Sequence, residues 1–209
     1  MKKITLLFFA ALCSIAAACG QTVKLGVLVG PNWSTIGSQN SIGETTAFTL
    51  GLHAGLFTEI AAGHWSIEPG LVYADIGGKV NFSTEIAGNE TVSLQYLQVP
   101  VSFVYNTTDR KFFFGGGPYI GFGLSGNISV NQTGGSFGQV DASSNFNLKF
   151  TFNSRTNPDY GINLLAGIHL NGGTIFTIGY GLGLRRVVDI TYTTVRNDVI
   201  TISIGHSIF

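Results

Sequence analysis

Apolar residues occupy every second position along much of this chain. Between 46 and 60, Phe48, Leu50, Leu52, Ala54, Leu56 and Ile60 share one face with Thr58; Thr49, Gly51, His53, Gly55 and Glu59 take the other, where Phe57 is the one apolar intruder. A period of two belongs to an extended strand whose faces meet different surroundings. Residues 159–170 repeat it, with Tyr160, Ile162, Leu164, Ala166, Ile168 and Leu170 set against Gly161, Asn163, Gly167 and His169. From 174 it returns as Phe176, Ile178, Tyr180, Leu182 and Leu184 against Thr177, Gly179, Gly181, Gly183 and Arg185. Applied along the chain, the rule predicts strands near 22–34, 46–60, 64–78, 92–106, 111–126, 159–170, 174–188 and 198–209.

The connections alternate too. Those at 61–63, 106–110 and 171–173 are tight turns, whereas 35–45, 79–91, 127–158 and 189–197 are long and polar. An even number of long strands with short turns at one end and long loops at the other is the layout of an outer-membrane barrel. The expected fold is therefore all-β: one eight-stranded antiparallel transmembrane barrel with short periplasmic turns and long extracellular loops. A ten-stranded version would need 127–158 to cross twice, and 135–143 is too polar and glycine-broken for that. No later stretch is apolar for the ~18 residues that mark a membrane helix.

Composition decides which face meets lipid. Charged residues make up 11% of the 209, against about 25% in soluble domains. There are 29 glycines, about twice the usual share. A soluble carrier barrel buries its apolar face and exposes its charges. Here the polar face is small and glycine-rich, as a narrow interior requires, and about half the glycines fall on it, Gly30, Gly51, Gly117 and Gly181 among them. The bulky face is left for lipid. Its aromatics gather near the strand ends, Trp65, Tyr105, Phe112 and Phe176 beside the short turns and Trp33, Phe48, Tyr73, Phe122 and Tyr160 towards the long loops. Such rings mark the two interfaces of a membrane. With zero formal net charge there is no electrostatic footprint for nucleic acid.

The N-terminus reads as a cleavable export signal over 1–20: Lys2 and Lys3, an apolar run, then Ala18-Cys19-Gly20 before Gln21. Cleavage there removes both cysteines and leaves 21–209 as the barrel domain. Cleavage after Ala18, or lipidation of Cys19, are the alternatives.

Several segments, in order, resemble the PorT-like outer-membrane β-barrel family, described as "outer membrane protein β-barrel domain". They are Gly30-Pro31-Asn32-Trp33-Ser34, Gly51-Leu52-His53-Ala54-Gly55-Leu56-Phe57, Ile67-Glu68-Pro69-Gly70-Leu71-Val72-Tyr73, Tyr96-Leu97-Gln98-Val99-Pro100-Val101, Gly116-Gly117-Pro118-Tyr119-Ile120-Gly121 and Ile202-Ser203-Ile204-Gly205-His206. The resemblance implies insertion by the barrel assembly machinery and an accessory role in secretion. Family members commonly end in a lipid-facing aromatic as the assembly signal. Here Ile202, Ile204 and Ile208 fall on the outward face and Phe209 has the opposite parity, so either Ile208 takes that place or a bulge turns Phe209 outward. Gln98 and Leu28 stand where the family often carries glutamate and lysine.

Few groups are left for chemistry. Lys24 and Glu59 fall inward on adjacent strands near the short turns, which predicts a lumen ion pair; Glu68 and Gln98 are expected close together across the third and fourth strands. Arg185 lies near the opposite mouth, within reach of Asp189 or loop groups. Buried charges need partners, and mutual neutralisation accounts for these without catalysis. His53, His64, His169 and His206 have no metal-ligand spacing, and no cofactor is expected. Gly121-Phe122-Gly123-Leu124-Ser125-Gly126 matches G-x-G-x-x-G without a helix to follow. Within 127–158, Phe146, Leu148, Phe150 and Phe152 alternate, which suggests a strand pair above the membrane and a loop surface carrying Phe146, Phe150 and Phe152. The expected function is non-enzymatic: a structural or surface-interaction barrel, not a wide pore, with lipid, the assembly machinery and an extracellular or secretion-system protein as partners. The alternatives are a lipid-modifying enzyme of the membrane rim using His206 and Ser207, and a secreted soluble ligand-binding barrel.

Overall fold

The computed structural model describes residues 22–39, 44–83, 87–133, 142–149, 158–185, 189–190 and 193–208. Residues 1–20, where an export signal is expected, and Phe150, Phe152 and Phe209 lie outside them. The strands are β1 (Thr22–Gln39), β2 (Glu44–Ala47), β3 (Thr49–Ala62), β4 (Trp65–Ser83), β5 (Ala87–Asn106), β6 (Phe112–Thr133), β7 (Ala142–Lys149), β8 (Asp159–His169), β9 (Thr174–Gly183), β10 (Asp189–Ile190) and β11 (Thr193–Ser207). Neighbours pair antiparallel in the order β1-β3-β4-β5-β6-β8-β9-β11, and β11 returns to β1 from Gly26↔Ser207 to Gln39↔Thr194. That last pairing closes an eight-stranded barrel with no free edge at the membrane.

The alternation read from the sequence becomes an inside and an outside. Leu52, Leu164 and Ile178 on the outer face are each more than half exposed, while Asn32, His53, Val104 and Asn197 on the inner face are buried. An outer surface of exposed leucine, isoleucine and aromatic side chains suits hydrocarbon and not water. Trp65 and Tyr105 meet edge to face at 5.1 Å beside the short turns, with Phe114 5.5 Å from Tyr105. Phe48, Tyr73 and Tyr160 stand outward at the opposite end.

The tight turns are built as the sequence implies. Gly63, Gly172 and Gly173 take positive φ, where a Cβ would be strained. Arg110 also does so (φ 52), and its guanidinium donates to Gly63 O at 2.7 Å, tying two turns together. In the same turn the Thr107 hydroxyl donates to Asp109 Oδ1 at 2.6 Å, which holds that carboxyl below its usual range.

The long connections differ from expectation. β4 and β5 run on to Ser83 and from Ala87, so most of 79–91 is paired strand. Within 127–158, by contrast, β6 continues to Thr133 and β7 pairs back along it, a strand pair of the kind expected there. β2 pairs with β4 one register step from the β3 pairing, with Phe48 at the break. A further irregularity, between Gln95 and Tyr96 on β5, leaves Leu124 as the extra residue of β6; it lies inside the G-x-G-x-x-G match, which is plain strand. The reason is that a backbone ladder needs no apolar alternation once it leaves lipid. Alternation reports the membrane band, and a strand of about 9–11 residues crosses it; β5 and β6 have 20 and 22.

Candidate functional site

Inward aromatic and polar residues sit opposite glycines, and this decides the shape of the lumen. Phe57 is paired with Gly26 and Phe113 with Gly167, and a Cβ on either glycine would meet the partner's ring at 2.3 Å. Tyr119 lies over Gly161 in the same way. The glycines are therefore seats for cross-strand rings as well as unoccupied width, a form of aromatic rescue of strand glycine. Phe57, Val104, Phe113, Leu165 and Ile175 form an apolar layer towards the short turns. Ile76, Leu94 and Tyr96 are buried towards the long loops.

Beside the lower layer, Lys24 Nζ lies 3.4 Å from Glu59 Oε2, with Glu59 buried and Lys24 a third exposed. A hydrogen-bonded line runs next to it: His169 Nε2 donates to Asn106 Oδ1 at 3.3 Å, Asn106 Nδ2 to Ser66 Oγ at 3.3 Å, and Ser66 Oγ to Glu68 Oε1 at 3.1 Å. The expected nearness of Glu68 and Gln98 does not hold. Glu68 is paired with Ser102, and Gln98 with Val72 four residues further along; counting residues along two strands of unknown register put them together. Because Lys24 keeps water contact, the pair's two halves are unequal. Lys24→Met, which strands a buried carboxylate, is expected to cost about 2 kcal/mol, and Glu59→Gln about 1 kcal/mol or less. Urea midpoints of the barrel refolded in detergent would check this ordering.

Midway along the lumen the sequence reading missed a pairing. His53 Nε2 and Ser203 Oγ share a hydrogen bond of 2.8 Å between two buried side chains. Gly30 stands between them, paired with His53, so the imidazole reaches across a position with no side chain to the next strand. Asn32 lies one inward step away and is fully buried. Above it, Tyr119 OH and Asn197 Nδ2 donate to Asp159 Oδ2 at 3.2 and 3.1 Å. The signal that could have found these groups is an inward polar residue opposite a glycine, but the β1–β11 register that completes it is a property of closure. Between the two layers runs a cavity of about 180 Å³ lined by Asn32, His53, Glu68, Gln98 and Ser203 among others. The narrow interior expected from the sequence is thus not filled by side chains alone, since glycine leaves more width than the bulky residues take up.

Arg185 donates from Nη1 to Pro158 O at 2.6 Å and lies 5.8 Å from the Tyr160 ring, so a loop carbonyl is among its partners. Phe146 occupies the β7 position opposite Ile128. Ile202, Ile204 and Ile208 are exposed on the outer face of the closing strand. His206 is outward beside them, with Ser207 directed to the other face.

Residues 19–189 match the family described as "Outer membrane protein beta-barrel domain". No curated protein sequence matches the chain. Among solved structures it is similar to Ail, the attachment invasion locus protein of Yersinia pestis, at 11% identity and TM-score 0.48 over 88% of this chain and 97% of that one. It is also similar to Neisserial surface protein A, at 10% and 0.46 over 88% and 98%. OprG from Pseudomonas aeruginosa gives 14% and 0.42 over 90% and 96%. A closed barrel with an apolar outer face and a family match over most of its length lead to one statement: this chain belongs to the outer membrane protein beta-barrel domain family and resides in the outer membrane.

Proposed function

We propose that the protein is a non-enzymatic surface-interaction barrel, PorT-like in kind, that offers the sheet of β2, β4, β5, β6 and β7 above the membrane to an extracellular or secretion-system protein. The observation that carries this reading is the length of β5 and β6, about twice what the bilayer needs. A lipid-filled role alone calls for no such extension. β7 pairs with β6 along one edge and, among the described residues, with no strand along the other. An unpaired edge on a rigid scaffold suits a partner that adds a strand. The PorT-like reading rests on the segments around Gly30, Gly51, Glu68, Gln98 and Gly116, and the outward isoleucines 202, 204 and 208 fit recognition by the assembly machinery.

A photo-reactive residue at Asn89, on the β5 part of that sheet opposite Asn131 and outside 127–157, is expected to give one discrete protein adduct in whole cells. Replacing 127–157 with a tight turn should abolish that adduct while leaving membrane insertion and heat-modifiable migration unchanged; a truncated barrel that keeps its partner would sink the reading. Planar bilayers are expected to show no porin-like conductance, because an apolar layer crosses the lumen on each side of the cavity. A steady open channel would contradict the plugged interior. The rim-enzyme alternative lacks a working pair, since His206 and Ser207 face opposite ways.

A further inference from the structure

We propose that the lumen cavity is a binding site for a small neutral molecule, an apolar body of about one ring carrying a single hydroxyl or amide group. Its volume is about 180 Å³, and apolar cavities of about 150 Å³ admit benzene. Its walls are largely apolar, with Phe57, Phe113 and Ile175 at one end. At the other end stand polar groups that the fold leaves unmatched. Neither amide atom of Asn32 has a hydrogen-bond partner among the described residues, and neither has His53 Nδ1, although Asn32 is fully buried and His53 is 5% exposed. Buried polar atoms are almost always paired, and these two residues line the cavity.

The chemistry of the ligand follows from the wall. A carboxamide offers one donor and one acceptor side by side, which a hydroxyl or amide can answer together. His53 adds a second donor or acceptor while its other nitrogen is held by Ser203. No lysine or arginine lines the cavity, so a carboxylate or phosphate ligand would be buried without a counter-charge. A cation has no carboxylate beside Asn32 and His53: the two that line the cavity, Glu59 and Glu68, lie six residues from His53 on β3 and six from its partner Ala74 on β4, or about 20 Å along the strands, and Glu59 is already paired with Lys24.

The test uses phenol and toluene, isosteres that differ by the hydroxyl, added while the urea-unfolded full chain refolds in detergent, with binding read by ligand-detected NMR and folding by heat-modifiable migration. Phenol is expected to bind saturably and about tenfold more tightly than toluene. Asn32→Leu should remove that preference and keep ring binding, and Val72→Phe, which fills the cavity, should remove both. Equal binding of phenol and toluene by the unaltered protein would overturn the proposal without recourse to any variant. So would phenol uptake no greater than that of folded Val72→Phe, the result for a lumen that holds water alone.

Discussion

Replacing Gly30 with valine is expected to abolish the folded, heat-modifiable form of the protein. A Cβ at Gly30 would lie 1.9 Å from the carbonyl oxygen of Ile202 and 2.9 Å from Ser203 Cα, both backbone atoms of β11. No side chain can swing away to relieve that contact, so β1 and β11 must part where their pairing closes the barrel. The same Cβ occupies the path that His53 takes to Ser203. Gly30→Ala is expected to cost about 3 kcal/mol, the upper end of ordinary overpacking, and valine more than a marginal barrel can bear. Gly63→Ala provides the contrast. Nothing lies within 4 Å of a Cβ there, and only the positive φ of 65° is strained, at about 1 kcal/mol. Urea titrations in lipid bilayers would rank the three, and a Gly30→Val barrel that refolds at the unaltered midpoint would show that the seam is not packed as described.

The strands were legible where they cross lipid and illegible where they leave it. Leu52, Leu164 and Ile178 announce their strands because hydrocarbon on one side and a narrow lumen on the other leave no choice of face. Residues 79–83 and 87–91 are paired just as regularly, but water accepts any side chain, so Lys79, Asn81 and Glu90 carry no periodic mark. The candidate site divides in the same way. Lys24 and Glu59 were readable because they lie on consecutive barrel strands, both inward and both near the short-turn ends, where each is the opposite charge the other needs; the register pairs them directly and brings them to 3.4 Å. His53 with Ser203, 150 positions apart, depends on closure, and closure depends on the stagger accumulated around all eight strands.

That division explains why glycine stood out in composition before it had a structural meaning. At Gly26, Gly161 and Gly167 a Cβ would strike an aromatic ring of the neighbouring strand; at Gly30 and Gly117 it would strike the neighbouring strand's carbonyl oxygen. Both follow from bending a sheet tightly enough for eight strands to close, which crowds the concave face. The convex face spreads, and there the large residues lie. The lipid-facing bulk and the lumen-facing glycine are two results of one curvature, so a substitution on either face tests the same geometry.

Leu164→Arg is expected to cost about 2–4 kcal/mol, against roughly 1 kcal/mol or less for Leu170→Arg on the same strand line, because the penalty for a cation on the lipid face is greatest at the midplane and fades at the interfaces. Leu164 is 58% exposed and stands near the middle of β8, whereas Leu170 adjoins the short turn. The two share a face, a residue type and a high exposure, so propensity and packing contribute little to the difference. In a soluble barrel an arginine at either site would snorkel into water at almost no cost. Depth in hydrocarbon is then the one variable that separates them, and it is set by the aromatic residues Tyr160 and Phe112 at the two ends of the band. Urea midpoints of both variants in lipid bilayers measure it directly. Equal shifts would mean that the exposed leucines do not lie at different depths, and the membrane placement of this barrel would fail with them.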